Sequence, residues 1–352
     1  MDILIIGGGL SGLVAAWQLR SAGVNVSIME ARTRFGGRIL TVGEDDGADC
    51  DLGPSWFWPG QPLVAGLLDH FNIPSYAQFV DGAVLFQQMD GRIERTNEAS
   101  PMTGSRRIEG GINRLTNAIV NEIDASHQFL AHAVTKLSIN KDVITVDATE
   151  PSGRVQMQAI QVALAMPPRL AADLVFVPEL PEKTMQALTG TPTWMAGHAK
   201  FFAIYDEPFW RKMDLCGTVI SQRGPLAEIH DASPNSGESF SLFGFSGLDA
   251  ESRAGMGRSE FTRQAIIQLT ELFGDAASRP KTVHYQDWST EKFTANAADR
   301  KSQTGHPQYG LNLQLGSAWD GKLDFIATET SFSNGGLIEG ALEAGLGFSE
   351  GC

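Results

Sequence analysis

Three glycines near the start of the chain have the spacing of a nucleotide-binding loop. Gly7, Gly9 and Gly12 form the pattern G-x-G-x-x-G. The first glycine permits a tight turn, the second lets a pyrophosphate approach the backbone, and the third lets a helix pack against a strand. Leu10 and Ser11 would then offer free backbone amides at a helix N-terminus, where phosphates bind. The motif predicts a dinucleotide site.

The elements around these glycines are those that such a loop requires. Residues 3–6 are continuously apolar, as in a parallel strand covered on both faces, and an apolar stripe over 10–17 predicts the helix that follows. Alternation over 24–28 predicts a second strand that ends at Glu30, where an acid accepts hydrogen bonds from a ribose diol. This Rossmann-type βαβ unit leaves nicotinamide and flavin dinucleotides open, with a ligand-free glycine turn as the least favoured alternative.

Length and composition limit the classes of protein that the chain could be. At 352 residues it is long enough for two domains, and its net charge of -14 opposes nucleic acid and anionic membranes while remaining compatible with cationic amines. Cys50, Cys216 and Cys352 are scattered, so we expect reduced thiols. No apolar run is long enough for a membrane span, and Met1 leads directly into the first strand without room for a signal peptide. We therefore expect a cytoplasmic protein.

The rest of the chain alternates between helical and β-type patterns. The patterns predict helices at 61–72, 111–124, 260–273 and 337–346, β-rich stretches at 129–165, 198–206, 215–221, 239–245 and 325–329, and loops at 248–259 and 295–310. Met166-Pro167-Pro168 interrupts the first region, because proline disfavours helix in the preceding residue. The fold class predicted is α/β, with an interleaved mixed-sheet substrate domain.

Both predicted domains are discontinuous, since the chain leaves the nucleotide domain and returns to it. The cofactor-binding domain comprises 1–72, 106–168 and 281–352, and the substrate-binding domain comprises 73–105 and 169–280.

The residues after the second strand are more specific than the glycines. Glu30-Ala31-Arg32-Thr33-Arg34-Phe35-Gly36-Gly37-Arg38 resembles the flavin-containing monoamine oxidase family of the FAD-dependent amine oxidase superfamily. The resemblance covers nearly the whole chain, because Asp51-Leu52-Gly53-Pro54-Ser55, Glu109-Gly110-Gly111, the 200–217 block, Ala327-Thr328-Glu329-Thr330 and 340–345 follow in the family's order. It implies FAD as the cofactor and an oxidoreductase as the activity.

The resemblance also implies the roles of particular residues. Lys200 resembles the family's lysine that holds a water against flavin N5, Trp288 resembles its tryptophan beside the isoalloxazine, and Glu329 resembles its flavin-proximal acid. The cofactor-binding set that it implies comprises Gly7, Gly9, Leu10, Ser11, Gly12, Glu30, Ala31, Arg32, Gly36, Gly37, Arg38, Gly53, Pro54, Ser55, Trp56, Val134, Trp288, Glu329, Gly336, Leu337 and Ile338.

Simpler interpretations of the same residues remain. The pattern alone favours an edge-strand Lys200 whose stem lies on an apolar face and whose head reaches water. Trp288 could be a core residue. Of the triplet Trp56, Phe57 and Trp58, alternation should direct at least one ring toward the cofactor cleft.

The chain departs from the family in three places. Residues 294–298 contain no cysteine where covalent monoamine oxidases attach FAD, so the resemblance implies non-covalent FAD. The two tyrosine positions of the family's aromatic cage fall at Ala298 and Leu337. The segment between Tyr76 and Arg106 is shorter than the family's substrate insertion, which implies an open site for a bulky substrate or a site completed by a second subunit.

These features together predict a flavoenzyme without a metal site, because the seven histidines lack metal-binding spacing. The leading hypothesis is hydride transfer from an amine to flavin N5, with reoxidation by oxygen or another acceptor. A dehydrogenase or desaturase of a bulky apolar substrate, and a catalytically silent flavin-binding interaction protein, are the alternatives. The oligomeric state is left open.

Overall fold

The structure is a computed structural model that describes residues 1–43, 49–301, 305–310 and 318–352. The strands within these residues are β1 Ile3–Ile6, β2 Val26–Met29, β3 Thr41–Gly43, β4 Asp49–Asp51, β5 Ser75–Ala77, β6 Ala83–Gln87, β7 Ile93–Thr96, β8 Arg106–Ile108, β9 Gln128–Phe129, β10 Ala133–Asn140, β11 Val143–Glu150, β12 Gly153–Ala159, β13 Gln161–Leu164, β14 Val175–Val177, β15 Ala199–Tyr205, β16 Leu215–Ser221, β17 Leu226–Asp231, β18 Phe240–Ser246, β19 Thr282–Asp287 and β20 Leu323–Phe325. The helices are α1 Leu10–Ser21, α2 Pro62–His70, α3 Asn113–Asn121, α4 Pro168–Ala172, α5 Glu182–Gly190, α6 Phe209–Lys212, α7 Ala250–Met256, α8 Arg258–Phe273 and α9 Ile338–Glu350.

A parallel sheet in the order β20-β13-β1-β2-β9 forms the centre of the nucleotide-binding half. Because side chains alternate along a strand, Ile3 and Ile5 pack on one face against α1 and α9, whereas Leu4 and Ile6 pack on the other against the β12-β11-β10-β14 sheet. Burial on both faces explains why this strand is continuously apolar. The Rossmann-type α/β prediction is confirmed.

A second sheet in the order β19-β15-β18-β17-β16-β6-β7 carries the other half. One face of β15 packs through Phe201 and Ala203 against α8, while Phe202 and Ile204 face Cys50 and Leu52 of the nucleotide-binding half. This alternation places Lys200, on the same face as Phe202, between the two halves.

Most of the predicted elements occur where the sequence indicates them, but the strand predicted at 325–329 is wrong, since β20 ends at Phe325 and Thr328–Thr330 form a 3-10 helix. The predicted loop at 248–259 is also wrong. It contains α7, because Asp249 accepts a hydrogen bond from the Ser252 amide at 2.7 Å as an N-cap, and Gly257 ends the helix. The helix buries little apolar surface, since its buried residues are Ala250 and Arg253. A polar helix of this kind lacks the apolar periodicity on which the prediction depended. Of the loop predicted at 295–310, residues 302–304 lie outside the described residues.

Three strand pairings among the described residues cross the predicted domain boundaries. In one of them β5, in a segment assigned to the substrate domain, pairs with β8, in a segment assigned to the cofactor domain. β14, in the segment assigned to the substrate domain, pairs with β10, and β19, in a segment assigned to the cofactor domain, pairs with β15. Across the described ranges, the structure contains no helix that combines the length and apolar character needed to cross a bilayer.

Candidate active site

A cavity of about 410 Å³ begins at the carboxyl ends of β1 and β2 and extends to the face of β15. It brings together nearly all of the residues that the sequence indicated. The predicted residues that line it are Gly7, Gly9, Leu10, Ser11, Glu30, Ala31, Arg32, Gly36, Gly37, Arg38, Gly53, Pro54, Ser55, Trp56, Val134, Lys200, Trp288, Gly336, Leu337 and Ile338.

Two predicted cofactor residues, Gly12 and Glu329, lie outside this lining. A Cβ on Gly12 would lie 2.1 Å from the carbonyl oxygen of Gly7, so this glycine permits the close packing of α1. Glu329 is fully buried and reaches the cavity only through its ion pair with Arg38. Both residues therefore affect the shape of the cavity indirectly, by positioning the lining residues Gly7 and Arg38.

The glycine loop leaves the space that a dinucleotide needs. A Cβ on Gly9 would meet no atom within 4 Å, and α1 begins there without a side-chain cap, which leaves its first amides free. Gly36 donates a backbone hydrogen bond to Gly8 at 2.8 Å, which brings the second glycine pair against the first. Free amides beside an open cradle are the features that bind a pyrophosphate.

Glu30 and Arg32 define the end of the cavity beside β2. The buried Glu30 carboxylate accepts hydrogen bonds from the amides of Gly8 at 2.7 Å and Arg32 at 2.8 Å, so each oxygen keeps a further lone pair for a ribose. Arg32 donates to Thr294 Oγ1 at 2.8 Å, yet its buried Nε has no partner among the described residues. An unpaired buried donor in a cavity wall fits a polar ligand.

Lys200 is held at the opposite end of the cavity. It is 2% exposed, and its Nζ donates to the carbonyl oxygens of Asp51 at 2.6 Å and Gly53 at 2.9 Å and to the Ser55 hydroxyl. The Nζ also lies 4.1 Å from the ring centroid of Phe243. The alternative of an edge-strand lysine with its head in water is wrong, because β15 lies between β18 and β19.

The protonation of Lys200 is sensitive to pH near neutrality. Burial lowers the pKa of Lys200 to about 7, Asp51 opposes this shift, and Arg107 adds to it. Lys200 is therefore charged below pH 7 and increasingly neutral above it.

Trp288 lines the cavity immediately after β19. Its Nε1 donates to the Leu52 carbonyl at 2.9 Å and its backbone amide to the His198 carbonyl at 3.0 Å. The preceding Asp287 accepts two hydrogen bonds from the buried Arg253, at 2.7 and 2.8 Å. Trp288 is thus both a buried residue and a cavity wall with a fixed orientation.

The aromatic triplet divides as strand alternation suggests. Trp56 and Trp58 line the cavity, whereas Phe57 is 3% exposed and belongs to the core. Of the two tyrosine positions, Leu337 lines the cavity and the exposed Ala298 lies outside it.

Sequence reasoning missed several lining residues, among them Gln61, His132, Trp194, Met195, His198, Phe245 and Phe293. His198 carried a signal, since it precedes Lys200 by two positions and so shares its face of the strand. Trp194 and Met195 lie in a turn before β15, where the sequence has no periodicity that would show which side chains face the cavity.

The parallel sheet, the glycine cradle and the buried acid define a dinucleotide-binding fold. The model of the family described as flavin containing amine oxidoreductase matches residues 10–99 and 85–350. The chain belongs to this family. It is an FAD-dependent oxidoreductase.

Individual relatives and solved structures agree with this assignment. Amine oxidase [flavin-containing] B of Homo sapiens is 25% identical over 447 residues, which cover 98% of this chain and 84% of that protein. Cyclohexylamine oxidase from Brevibacterium oxydans IH-35A has a TM-score of 0.85 at 19% identity, and wild-type putrescine oxidase bound to putrescine has 0.81 at 21%; each covers 99% of this chain and 98% of the other. The alignment with the human protein is longer than this chain, so that protein contains internal residues that this chain lacks.

The residues present fit FAD. The open side of Gly9 and the free amides of α1 suit its pyrophosphate, the remaining lone pairs of Glu30 suit the ribose, and the far end of the cavity lies beside Lys200 and Trp288.

Proposed function

We propose that this chain oxidises amines by transfer of a hydride from the carbon beside nitrogen to flavin N5. The single observation that carries the proposal is the continuous cavity that joins the glycine cradle to Lys200 and Trp288. When bound, FAD supplies the hydride acceptor, and oxygen or another acceptor receives the electrons.

The chain's own residues bind and orient the reactants. Trp288, fixed by hydrogen bonds to Leu52 and His198, presents an apolar ring that excludes water. Lys200, when protonated, places a positive charge at this end of the cavity and stabilises negative charge that develops near it. Residues 294–298 contain no cysteine, which supports non-covalent FAD.

The charges of the cavity favour a monoamine over a diamine. Among its described lining residues, the only carboxylate is Glu30, at the nucleotide end, whereas Trp56, Phe245 and Leu337 are apolar. A second ammonium would therefore be buried without a partner, which is costly. We infer that the substrate is an amine with an apolar remainder.

The test is an anaerobic titration of the purified holoprotein with hexylamine and, as its matched control, 1,6-diaminohexane. The proposal expects hexylamine to bleach the flavin band near about 450 nm and air to restore it. Equal bleaching by the diamine would remove the argument for a monoamine. If no amine bleaches the band, a panel of apolar alkanes and alkenes distinguishes a desaturase, which they reduce, from a silent flavoprotein, which they do not.

A further inference from the structure

His198 lies beside the reaction end of the cavity, which is the end that Lys200 and Trp288 line. It immediately precedes β15, so strand alternation places it on the same face as Lys200. The His198 carbonyl accepts a hydrogen bond from the backbone amide of Trp288. His198, Lys200 and Trp288 all line the cavity. A position two residues along a strand lies about 7 Å away, close enough for His198 and Lys200 to reach one ligand.

The imidazole of His198 differs in its bonding from those of His127, His132 and His230. His127, His132 and His230 each have a ring nitrogen within 3.0 Å of a protein oxygen. The half-buried ring of His198 makes no hydrogen bond to any residue in the described ranges. Its nitrogens are therefore available to a molecule in the cavity.

The charges around His198 favour its neutral form. Arg253 of α7 donates to the neighbouring Gly197 carbonyl at 2.8 Å and is paired with Asp287 of β19, and Lys200 follows on β15. Burial lowers the pKa of His198, and Arg253 lowers it further, so the ring is neutral at pH 7 and able to accept a proton.

Such an acceptor would let the protonated form of an amine react. Free amines are protonated at pH 7, yet a hydride leaves the adjacent carbon only when the nitrogen lone pair is free to form the C=N bond. Below pH 7 Lys200 is charged and cannot take the proton, because all three N–H groups of its Nζ then donate to Asp51, Gly53 and Ser55.

We propose that His198 is the base that removes a proton from the ammonium of the bound amine. An N–H bond of the ammonium breaks, its proton forms an N–H bond on the imidazole, and the electron pair stays on the amine nitrogen. The imidazolium then returns the proton to water. This inference rests on the proposed amine oxidation.

The experiment measures anaerobic flavin reduction by benzylamine in the holoenzyme from pH 6 to pH 10. Wild type is compared with His198→Ala, with His198→Asn, and with His127→Asn as a matched control for loss of a half-buried imidazole outside the cavity. At pH 7 we expect both His198 variants to reduce the flavin about 10²-fold more slowly, as for loss of a general base. We expect the control to match wild type.

The pH dependence separates a base from a structural residue. If His198 is the base, the loss shrinks as the pH approaches that of the free amine's own deprotonation, and it shrinks for ring-substituted benzylamines of lower basicity. An equal loss at every pH and for every amine would overturn the assignment, as would unchanged reduction in both variants. If His198→Ala does not retain FAD, the pH dependence is measured with His198→Asn alone. Wild-type flavin that no amine reduces would overturn the proposed function, and the role of His198 with it.

Discussion

Arg38 and Glu329 form a two-point ion pair that joins the two ends of the chain behind the cavity. Arg38 Nη1 lies 2.7 Å from Glu329 Oε1, and Nη2 lies 3.0 Å from Oε2. Arg38 follows the second glycine pair and lines the cavity, while Glu329 precedes α9 and is fully buried. Gly37 directly precedes Arg38, and Thr328 directly precedes Glu329. The ion pair therefore fixes the position of the backbone at these two cavity-lining residues.

Glu329→Gln should destabilise the fold and weaken the binding of FAD. The substitution leaves the Arg38 guanidinium, whose side chain is 25% exposed, without its counter-charge, and breaking a buried pair of this kind costs about 3 kcal/mol. Urea unfolding with flavin fluorescence measures both effects. Glu260→Gln removes an exposed pair with Arg263 and should leave the unfolding midpoint nearly unchanged. Similar midpoints for the two variants would contradict the prediction.

Gly9→Ala and Gly12→Ala should separate ligand binding from folding. A Cβ at position 9 meets no protein atom, so the free energy of unfolding of the apoprotein should be nearly unchanged while FAD affinity falls, because the methyl group enters the cradle. A Cβ at position 12 meets the Gly7 carbonyl at 2.1 Å, and overpacking of this kind costs about 1 to 3 kcal/mol. Thermal unfolding and FAD titration of both variants check the contrast. Equal FAD affinity in wild type and Gly9→Ala would contradict binding of the FAD pyrophosphate beside Gly9.

Lys200 should make flavin reoxidation depend on pH. Since burial lowers the pKa of Lys200 to about 7, its charge is present below pH 7 and is lost as the pH rises through that value. We therefore expect the rate of reoxidation by air to fall between pH 6 and pH 9. Lys200→Met should be slower by about 10²-fold at pH 6 and nearly independent of pH.

Stopped-flow mixing of the reduced enzyme with oxygen measures these rates. Lys212→Met is the control, since Lys212 is exposed and paired with Glu207. A wild-type rate that does not change from pH 6 to pH 9 would argue against a role for the Lys200 charge.

FAD should be released by denaturation. Cys50 and Cys216 are buried, Cys352 is exposed at the C-terminus, and none of the three lines the cavity. After acid precipitation we expect all of the flavin absorbance in the supernatant. Flavin retained in the pellet would show a covalent bond to another residue.

The nucleotide-binding end was predictable because its signals are local. Gly7, Gly9 and Gly12 lie within six residues, and their context of strand, helix and Glu30 is contained in one βαβ unit. Each of these residue types is required by backbone geometry or hydrogen bonding at that point.

The reaction end was less predictable because distant segments build it. Lys200 was indicated by family resemblance, but its partners come from 51–55, and the pattern alone favoured an exposed head. Trp194 and Met195 line the cavity from a turn without periodicity. The helix α7 was missed because its main buried contact is the ion pair of Arg253 with Asp287 rather than an apolar stripe.

The hydrogen bonds from Lys200 to residues 51–55 have a mechanical consequence. They link β15 of the seven-stranded sheet to a segment of the nucleotide-binding half, and Asp51 is itself anchored through its carboxylate to the amide of Ile112 and the hydroxyl of Thr41. The two halves therefore cannot slide past one another without detaching the lysine that faces the cavity. We expect substrates to enter and products to leave by movements of side chains at the rim, while the two sheets remain a rigid frame.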